Sequence, residues 1–266
     1  MTAIALTIAG SDSGGGAGIQ ADLKTFSALG VYGASVITAL TAQNTKGVTG
    51  IHDVPAEFVT AQLDAVFADL AVDAVKIGML SRPEVIRAVA AGLDRWQATQ
   101  VVLDPVMIAT SGDPLIAPEA ISTIVTELIP RALLITPNLP EAARLLGVAV
   151  ATTEDEMVAQ SAYLLALGPK AVLLKGGHGD ARDSSDLLVT ASGPRWFRAR
   201  RHQTRNTHGT GCTLSSAVAA GLAQGLTLED AVGAAKTYVT DAIRAADNLC
   251  VGSGHGPVHH FYRWWK

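Results

Sequence analysis

The sequence predicts an α/β protein in which a central, mostly parallel sheet is covered by helices on both faces. Continuous apolar segments of strand length alternate with amphipathic segments of helix length along almost the whole chain. Strands that are apolar throughout are buried on both faces, which is typical of a parallel sheet between two helical layers. Aromatic residues make up only 5% of the 266 residues, so small aliphatic side chains must fill the contacts between helices and sheet.

The elements of the first half are predicted from apolar runs and from the residues that bound them. Residues 3–9 form an apolar run that predicts the first strand, and a glycine-rich segment follows it and leads into a helix at residues 19–29. Residues 34–42 predict the second strand. Residues 55–70 predict a helix, because a proline stands near the start of this segment. The same reasoning predicts strands at residues 74–77, 100–103 and 132–136 and helices at residues 83–95 and 118–128.

In the second half the clearest local signal is a helix start. Thr153 and Glu156 have the spacing of a capping box, which predicts a helix at residues 153–167. No linker, repeat or low-complexity segment interrupts the chain, so we expect a single domain over residues 1–266. The remaining predictions are strands at residues 171–175, 186–190 and 195–201 and helices at residues 141–146, 211–224 and 228–245.

Composition excludes several classes of protein. Lys and Arg number 20 against 24 Asp and Glu, so no overall basic charge points to nucleic acid. The two cysteines, Cys212 and Cys250, form no CxxC pair, which argues against a disulfide framework or a zinc site. No apolar run reaches the roughly 18 residues of a membrane span. No basic residue precedes Lys24, which argues against a signal peptide, so we expect a cytoplasmic protein without a membrane partner.

Polar and glycine-rich clusters follow the predicted strands, where ligands bind in sheets of this kind. The first of them, residues 10–18, joins a strand to a helix and contains five glycines at residues 10, 14, 15, 16 and 18. It is interpreted either as a flexible turn or as a loop whose backbone closes over a small ligand. The loose dinucleotide fingerprint in it lacks the acidic residue expected about 20 positions later. The other clusters lie at residues 43–46, 104–105, 137–141 and 176–179.

A second glycine-rich segment, at residues 207–212, precedes a long helix of small residues. Successive backbone N–H groups and the positive end of the helix dipole predict an anion hole suited to a phosphoryl group. Cys212 lies in the first helical turn, where a lowered thiol pKa is expected. A plain loop-to-helix junction with a buried cysteine is the alternative, and a nucleophilic pair of Cys212 with His208 is a further one that adjacency alone does not support.

Oxygen donors at two strand ends suggest a cation site. Asn138 and Glu141 are three residues apart and can hold a hydrated Mg²⁺ between them, and Asp104 adds a donor at the same edge. The alternative is a helix start at which Glu141 stabilises the dipole. Lys175 ends a strand and can meet a phosphate or be merely solvated. No Gly-Lys dipeptide occurs, so the phosphate-binding lysine of a P-loop is absent.

Five arginines lie between residues 195 and 205. They are interpreted as a solvated strand face or as a surface that attracts a polyanionic nucleotide; only Trp196 and Phe197 interleave them, which argues against nucleic acid.

Taken together, these segments resemble the bacterial hydroxymethylpyrimidine/phosphomethylpyrimidine kinases of thiamine biosynthesis. The resemblance includes TPNLPEA at residues 136–142 and NTHGTGC at residues 206–212, and it extends over nearly the whole chain. Further matching segments lie at residues 8–25, 39–45, 76–79, 104–107, 175–178 and 254–257.

The resemblance implies a ribokinase-like fold, a homodimer, and ATP-dependent phosphorylation of 4-amino-5-hydroxymethyl-2-methylpyrimidine and then of its monophosphate. Pyridoxal or pyridoxine kinase, and a non-catalytic pyrimidine-binding regulator on the same fold, are the competing functions. Carried over by motif, the resemblance implies that Gln43 binds the pyrimidine in a pocket lined by Asp22, Met79 and Val106. It implies an anion hole formed by Gly209, Thr210, Gly211 and Cys212, and a Mg²⁺ ion arranged through water by Asp104, Asn138 and Glu141. It also implies that Lys175 and Lys236 lie near the phosphates of ATP.

Two positions depart from what related kinases lead us to expect. Most ribokinase-like enzymes end the anion-hole motif with Asp as a base, whereas Cys212 stands here. A thiolate at Cys212 could accept the alcohol proton in the first transfer. A small neutral side chain would instead avoid placing a carboxylate beside the incoming phosphate in the second. Residues 109–111 read Ala-Thr-Ser, where a lysine before the serine is expected.

Overall fold

The computed structural model describes residues 1–107, 118–177 and 183–265. The strands in these ranges are β1 Ile4–Ala9, β2 Tyr32–Ile37, β3 Ala39–Asn44, β4 Gly47–Asp53, β5 Ala74–Ile77, β6 Val101–Leu103, β7 Leu134–Ile135, β8 Val172–Lys175, β9 Asp183–Thr190 and β10 Gly193–Arg200. Eight of them form the central sheet, in the spatial order β10-β9-β8-β7-β6-β5-β1-β2. Pairing is parallel from β2 through β8 and antiparallel for β8–β9 and β9–β10, which confirms the mostly parallel sheet.

Helices cover both faces of this sheet, as predicted. The helices are α1 Gly18–Ala28, α2 Ala56–Phe67, α3 Pro83–Arg95, α4 Pro118–Thr123, α5 Leu139–Leu146, α6 Glu154–Leu165, α7 Thr210–Ala223 and α8 Leu228–Arg244. Buried side chains of α2 to α6 form one core with Leu6 and Ile8 of β1. Those of α1, α7 and α8 form a second core with Ala5. Alternate residues of β1 therefore supply opposite layers, because successive strand side chains point to opposite faces.

The interior is built from small aliphatic residues, which confirms the expectation from the low aromatic content. Helix α7 buries a continuous stretch of such residues against α8 and the sheet. Thr153 and Glu156 form the expected capping box at the start of α6. The segment predicted as one helix at residues 118–128 is α-helical only to Thr123, where α4 ends. Ile124–Leu128 continues it as a π-helical turn.

One sequence prediction about the second strand is wrong. Residues 34–42 do not form one strand: β2 ends at Ile37, and β3 pairs with β4 in a separate two-stranded sheet. The backbone turns at Thr38, whose amide donates to the Ala9 carbonyl and whose hydroxyl donates to the Met79 carbonyl. Strand β3 alternates buried and exposed residues, as a hairpin covered on one face does. Strand β4 was not expected at all, because it contains little apolar character.

The Ala-Thr-Ser segment at residues 109–111 and the second half of the polar cluster at residues 176–179 lie outside the described residues. Within the described ranges, the helices are all too short or too polar to cross a membrane.

Candidate active site

A cavity of about 850 Å³ opens where β1, β5, β6 and β8 end. Strand β3, the start of α7 and the end of β8 all contribute residues to its lining. Apart from Asp22, all the site residues expected from the sequence line this cavity: Gln43, Met79, Asp104, Val106, Asn138, Glu141, Lys175, Gly209, Thr210, Gly211, Cys212 and Lys236.

Gln43 lies on the hairpin strand β3, beside a register shift that follows Ala42. Its Oε1 lies 3.1 Å from the Thr41 hydroxyl, and its Nε2 lies 3.5 Å from Nε2 of His208. Its backbone is held by Ser13, whose hydroxyl accepts from the Gln43 amide and donates to the Gln43 carbonyl, both at 2.8 Å. The amide side chain is thus half-buried at the cavity wall, where it can offer one donor and one acceptor to a ligand.

The glycine-rich loop at residues 10–18 is organised by its own carboxylate. Asp12 is 2% exposed, and its Oδ1 accepts from the Gly14 amide at 2.8 Å. Its Oδ2 accepts from the amides of Gly16 and Ala17, at 3.0 and 2.8 Å. Burial alone would raise the pKa of Asp12, but His208 and these amides outweigh it and hold the pKa below its usual value. Three backbone donors of this loop therefore point at Asp12 rather than into the cavity.

The loop before α7 has the geometry of an anion hole. Gly209 is its N-cap, with a φ of +79°, a conformation that favours glycine. Gly211 and Cys212 lie in the first helical turn, where helix geometry supplies no acceptor for the backbone N–H. A Cβ at Gly211 would lie 3.3 Å from Nζ of Lys175, so the helix start and this ammonium group face the same point. The structure thus places helix-start N–H groups beside an ammonium group, and the anion hole itself stays a prediction.

The expected low pKa of Cys212 is wrong. Burial raises the pKa of this thiol to about 11. Lys76 favours the thiolate, but the carboxylates of Asp22 and Asp104 add to the effect of burial and oppose a further negative charge. The thiol is therefore protonated at neutral pH, although it stands at the start of a helix.

Asp22 was expected to line the pyrimidine pocket, and the structure instead buries it behind the cavity wall. Its carboxylate accepts from the hydroxyls of Thr7 and Ser216, at 2.6 and 2.5 Å, and from Nζ of Lys76 at 2.8 Å. Both partners of the Lys76–Asp22 ion pair are fully buried. Burial would lower the pKa of Lys76, but Asp22, with smaller contributions from Cys212 and Asp104, raises it above its usual value. Lys76 lines the cavity, a role that the sequence analysis missed because a lysine inside a strand carries no positional signal.

Lys175 lies between two acidic side chains, beside the start of α7. Its Nζ lies 2.8 Å from Oδ1 of Asp104 and 3.9 Å from Oε2 of Glu141. Burial would raise the pKa of Asp104, but Lys175 and Lys76 hold it below its usual value. Burial raises the pKa of Glu141 to about 7, a shift that Lys175 opposes and Asp104 reinforces.

Asn138 and Glu141 also confirm the helix-start alternative. Oδ1 of Asn138 accepts from the Glu141 amide, and Oε2 of Glu141 accepts from the Asn138 amide, both at 2.8 Å. This capping box begins α5. In the part of the chain that the structure describes, no three His, Cys, Asp or Glu side chains are grouped as a metal site. A cation held here would therefore need water or phosphate oxygens among its ligands.

Lys236 projects from α8 and donates to Oδ2 of Asp186 at 2.7 Å and to the Ser184 hydroxyl at 3.1 Å.

The arginines between residues 195 and 201 lie in two different environments, the protein surface and the cavity. Arg195 and Arg198 form ion pairs with Glu229 and Glu154 on the protein surface. Arg200 and the following residue Arg201 line the cavity, and their attraction of a polyanion stays a prediction.

Comparison with known proteins places this geometry in a family. A family model described as Phosphomethylpyrimidine kinase matches residues 12–259. A hydroxymethylpyrimidine/phosphomethylpyrimidine kinase of Rhizobium meliloti is 61% identical over the full length of both chains. The Escherichia coli protein of the same name is 56% identical over 98% of both chains. The solved ADP complex of Bacillus subtilis pyridoxal kinase is 36% identical and superposes with a TM-score of 0.89 over 98% of both chains.

Proposed function

Because the chain belongs to the phosphomethylpyrimidine kinase family, it is a kinase of thiamine biosynthesis, and we propose that its cavity carries out both transfers at one site. The substrates are 4-amino-5-hydroxymethyl-2-methylpyrimidine and its monophosphate, and the donor is ATP. The observation that supports a shared site is that Gln43 and the first turn of α7 line the same cavity. A substrate held at Gln43 directs its reacting group towards the helix start.

Gln43, Met79 and Val106 hold the pyrimidine in this proposal. The amide of Gln43 pairs with the aminopyrimidine edge, since one donor and one acceptor suit an amino group beside a ring nitrogen. Met79 and Val106 add apolar surface along the wall of the cavity.

The amides of Gly211 and Cys212 stabilise the phosphoryl group as it moves, together with the ammonium of Lys175. Phosphoryl transfer depends mainly on positioning and on stabilising negative charge, and preorganised N–H donors supply both. Lys236 and the cavity-lining arginines bind the remaining phosphates of the nucleotide. Asp104 holds Lys175 in place, since its Oδ1 accepts a hydrogen bond from Nζ.

The protonated thiol of Cys212 does not act as a base in this proposal. A pKa of about 11 leaves little thiolate at neutral pH, and an incoming phosphate would disfavour thiolate further. Cys212 supplies its backbone N–H and a small neutral side chain, which leaves room for a substrate that already carries a phosphate.

We also propose that Mg²⁺ binds together with ATP at this edge of the sheet. Asp104, Asn138 and Glu141 line the cavity and carry oxygen atoms suited to Mg²⁺, so the residues fit a water-mediated site. The ammonium of Lys175 stands between the two carboxylates, and the capping box uses one oxygen each of Asn138 and Glu141. When bound, Mg²⁺ neutralises charge on phosphate oxygens. The cytoplasmic location stays a prediction from the sequence, and the homodimer stays a prediction from the family resemblance.

Mass spectrometry of the products tests the function directly. With ATP, Mg²⁺ and the pyrimidine alcohol, we expect the monophosphate first and the diphosphate after it. Monophosphate alone at long times with excess ATP would contradict two transfers at one site. Binding of the pyrimidine without ATP turnover would favour the non-catalytic regulator. A parallel reaction with pyridoxal tests the competing kinase function, and a preference for pyridoxal would overturn the substrate assignment.

A further inference from the structure

We propose that Asp12 and His208 form a positioning pair that aligns the pyrimidine end of the cavity with the anion hole. This inference rests on the kinase function proposed above. Neither residue needs to touch the reacting atoms for this role. The pair acts by holding two loops, residues 10–18 and residues 207–212, in a fixed relation.

Asp12 fixes the first loop from inside. It accepts the amides of Gly14, Gly16 and Ala17, which together determine the path of the backbone from β1 into α1. Its fourth partner comes from the other loop: Nε2 of His208 lies 2.9 Å from Oδ2 of Asp12. The carboxylate is 2% exposed and the His208 residue 7%, so water competes little for this bond.

His208 is fixed at its backbone as well as at its ring. Its amide donates to the Gly256 carbonyl at 3.0 Å, and its carbonyl accepts from the Val258 amide at 3.3 Å. The next residue is Gly209, the N-cap of α7. A change in the position of His208 therefore moves the first turn of α7, which carries the anion-hole donors.

The two loops also interlock on either side of this bond. A Cβ at Gly16 would lie 2.4 Å from Cδ2 of the His208 ring, and a Cβ at Gly209 would lie 1.9 Å from the Gly16 carbonyl oxygen. Separations of this size leave no space for a side chain. The loops are in backbone contact, and one cannot shift without the other.

The first loop is in turn bonded to the residue at the substrate end. Ser13 makes two hydrogen bonds with the backbone of Gln43, and Nε2 of Gln43 lies 3.5 Å from Nε2 of His208. A continuous set of contacts thus runs from Gln43 through the Asp12 loop to the anion hole. Misplacement of reacting groups by about 1 Å can slow a reaction about 100-fold, so such a connection matters for the rate.

Two variants of His208 provide the test. His208→Phe keeps a ring against Gly16 but removes the donor to Asp12, and His208→Gln keeps a donor at a similar reach without the ring. We expect His208→Phe to lower kcat for both transfers about 10- to 100-fold, with the KM for ATP changed less than about two-fold. We expect His208→Gln to recover kcat to within about five-fold of the unsubstituted protein.

Asp12→Asn and the double variant Asp12→Asn/His208→Phe show whether the pair acts as a unit. If it does, the double variant loses no more kcat than the worse single variant, since residues that act together are not additive. Asp73→Asn is the matched control. Asp73 also accepts a backbone amide, that of Ile4 at 2.8 Å, but at the opposite end of β1. It should lower the thermal midpoint and leave kcat unchanged.

Unchanged kcat in folded His208→Phe would overturn the positioning role, and so would equal kcat losses in His208→Phe and His208→Gln. An equal loss in Asp73→Asn would show that general destabilisation explains the effect. If Asp12→Asn does not fold, the two His208 variants decide the question. Absence of turnover in the unsubstituted protein would count against the proposed function. Because that result comes from the unsubstituted protein alone, it is distinct from the outcomes for the variants.

Discussion

Two glycine-rich loops meet at the cavity, and their backbone donors point in different directions. In the loop at residues 10–18, three amides converge on Asp12, a carboxylate of the same loop. In the loop at residues 207–212, the N–H groups of Gly211 and Cys212 stand at the start of α7, where the helix offers them no acceptor. The amides of the loop at residues 10–18 thus bind a carboxylate of their own loop, whereas the helix-start N–H groups of the loop at residues 207–212 remain available to a bound anion. Glycine content alone therefore does not identify a phosphate site.

The largest effect is expected from closing the open loop. Gly209→Ala requires a side chain at a φ of +79° and places its Cβ 1.9 Å from the Gly16 carbonyl oxygen. The helix start must move, and we expect kcat to fall at least about 100-fold, as on loss of an oxyanion-hole donor.

The matched control for this change is Gly147→Ala. Gly147 has a φ of +67° and no atom within 4 Å of the added Cβ, so it carries the same backbone strain without the clash. It should cost about 1 kcal/mol of unfolding free energy and leave kcat unchanged. Steady-state kinetics and urea unfolding of both variants decide this, and normal turnover by Gly209→Ala would remove the anion hole from the mechanism.

A carboxylate placed at the open loop should make it resemble the filled one. Cys212→Asp adds a negative charge beside an incoming phosphate, at a cost of roughly 4 kcal/mol for charges about 4 Å apart at an effective dielectric of about 20. We expect phosphorylation of the monophosphate to slow about 100-fold or more, and phosphorylation of the alcohol much less.

Cys212→Ser is the control for the Asp variant, because it keeps a small neutral side chain and the backbone N–H. Both transfers should stay within about three-fold of the unsubstituted rate, since a thiol with a pKa of about 11 is not a base at neutral pH. The rates are measured with alcohol and monophosphate supplied separately. Selective loss of the alcohol step in Cys212→Ser would restore a catalytic thiolate.

The substrate end is tested by Gln43→Leu. Loss of the amide leaves a polar group of the pyrimidine unpaired, at about 1–3 kcal/mol, so its KM should rise between about 5- and 100-fold. The KM for ATP should not change. Leu40→Ala on the exposed face of the same strand is the control, because Leu40 is 47% exposed and does not line the cavity. Equal rises in both KM values would show that Gln43 supports the hairpin rather than the substrate.

The smallest effect concerns pH and the acidic groups beside the open loop. Burial raises the pKa of Glu141 from 4.5 to about 7, so the folded protein binds its proton more tightly than the unfolded chain. This contribution to stability is present below about pH 4.5 and is lost as the pH rises through about 7. Between pH 5 and pH 8, the free energy of unfolding should therefore fall more steeply in the unsubstituted protein than in Glu141→Gln. Parallel curves from urea unfolding would show that Glu141 titrates normally.

Much of the fold was predictable because parallel strands leave long apolar runs in the sequence. The β3–β4 hairpin was not predictable in this way. Residues 34–42 are divided at Thr38, where the hydrogen-bond partners of the backbone change but the hydrophobicity of the sequence does not. Strand β4 has too little apolar character to stand out.

The candidate site divides in the same way. Lys175 and the α7 loop were predicted to lie together because both follow strands or precede a helix at one edge of the sheet, whereas Gln43 was singled out by the family resemblance and lies on the separate β3–β4 hairpin. Asp22 was misplaced, because a fully buried ion pair with Lys76 depends on contacts between distant segments. The thiol pKa was predicted in the wrong direction because a helix start is visible in the sequence and burial is not. The role of Asp12 was hidden for a related reason: a carboxylate amid glycines does not reveal which amides it will accept.

The antiparallel strand β10 ends the eight-stranded sheet, and among the described residues no strand pairs with its outer edge. It carries Arg195, Arg198 and Arg200, with Arg201 next to it. Charged side chains on an edge strand discourage pairing between copies, which is the first step towards aggregation. The strand that supplies Ala199 and Arg200 to the cavity thus also carries charges that oppose edge-to-edge pairing.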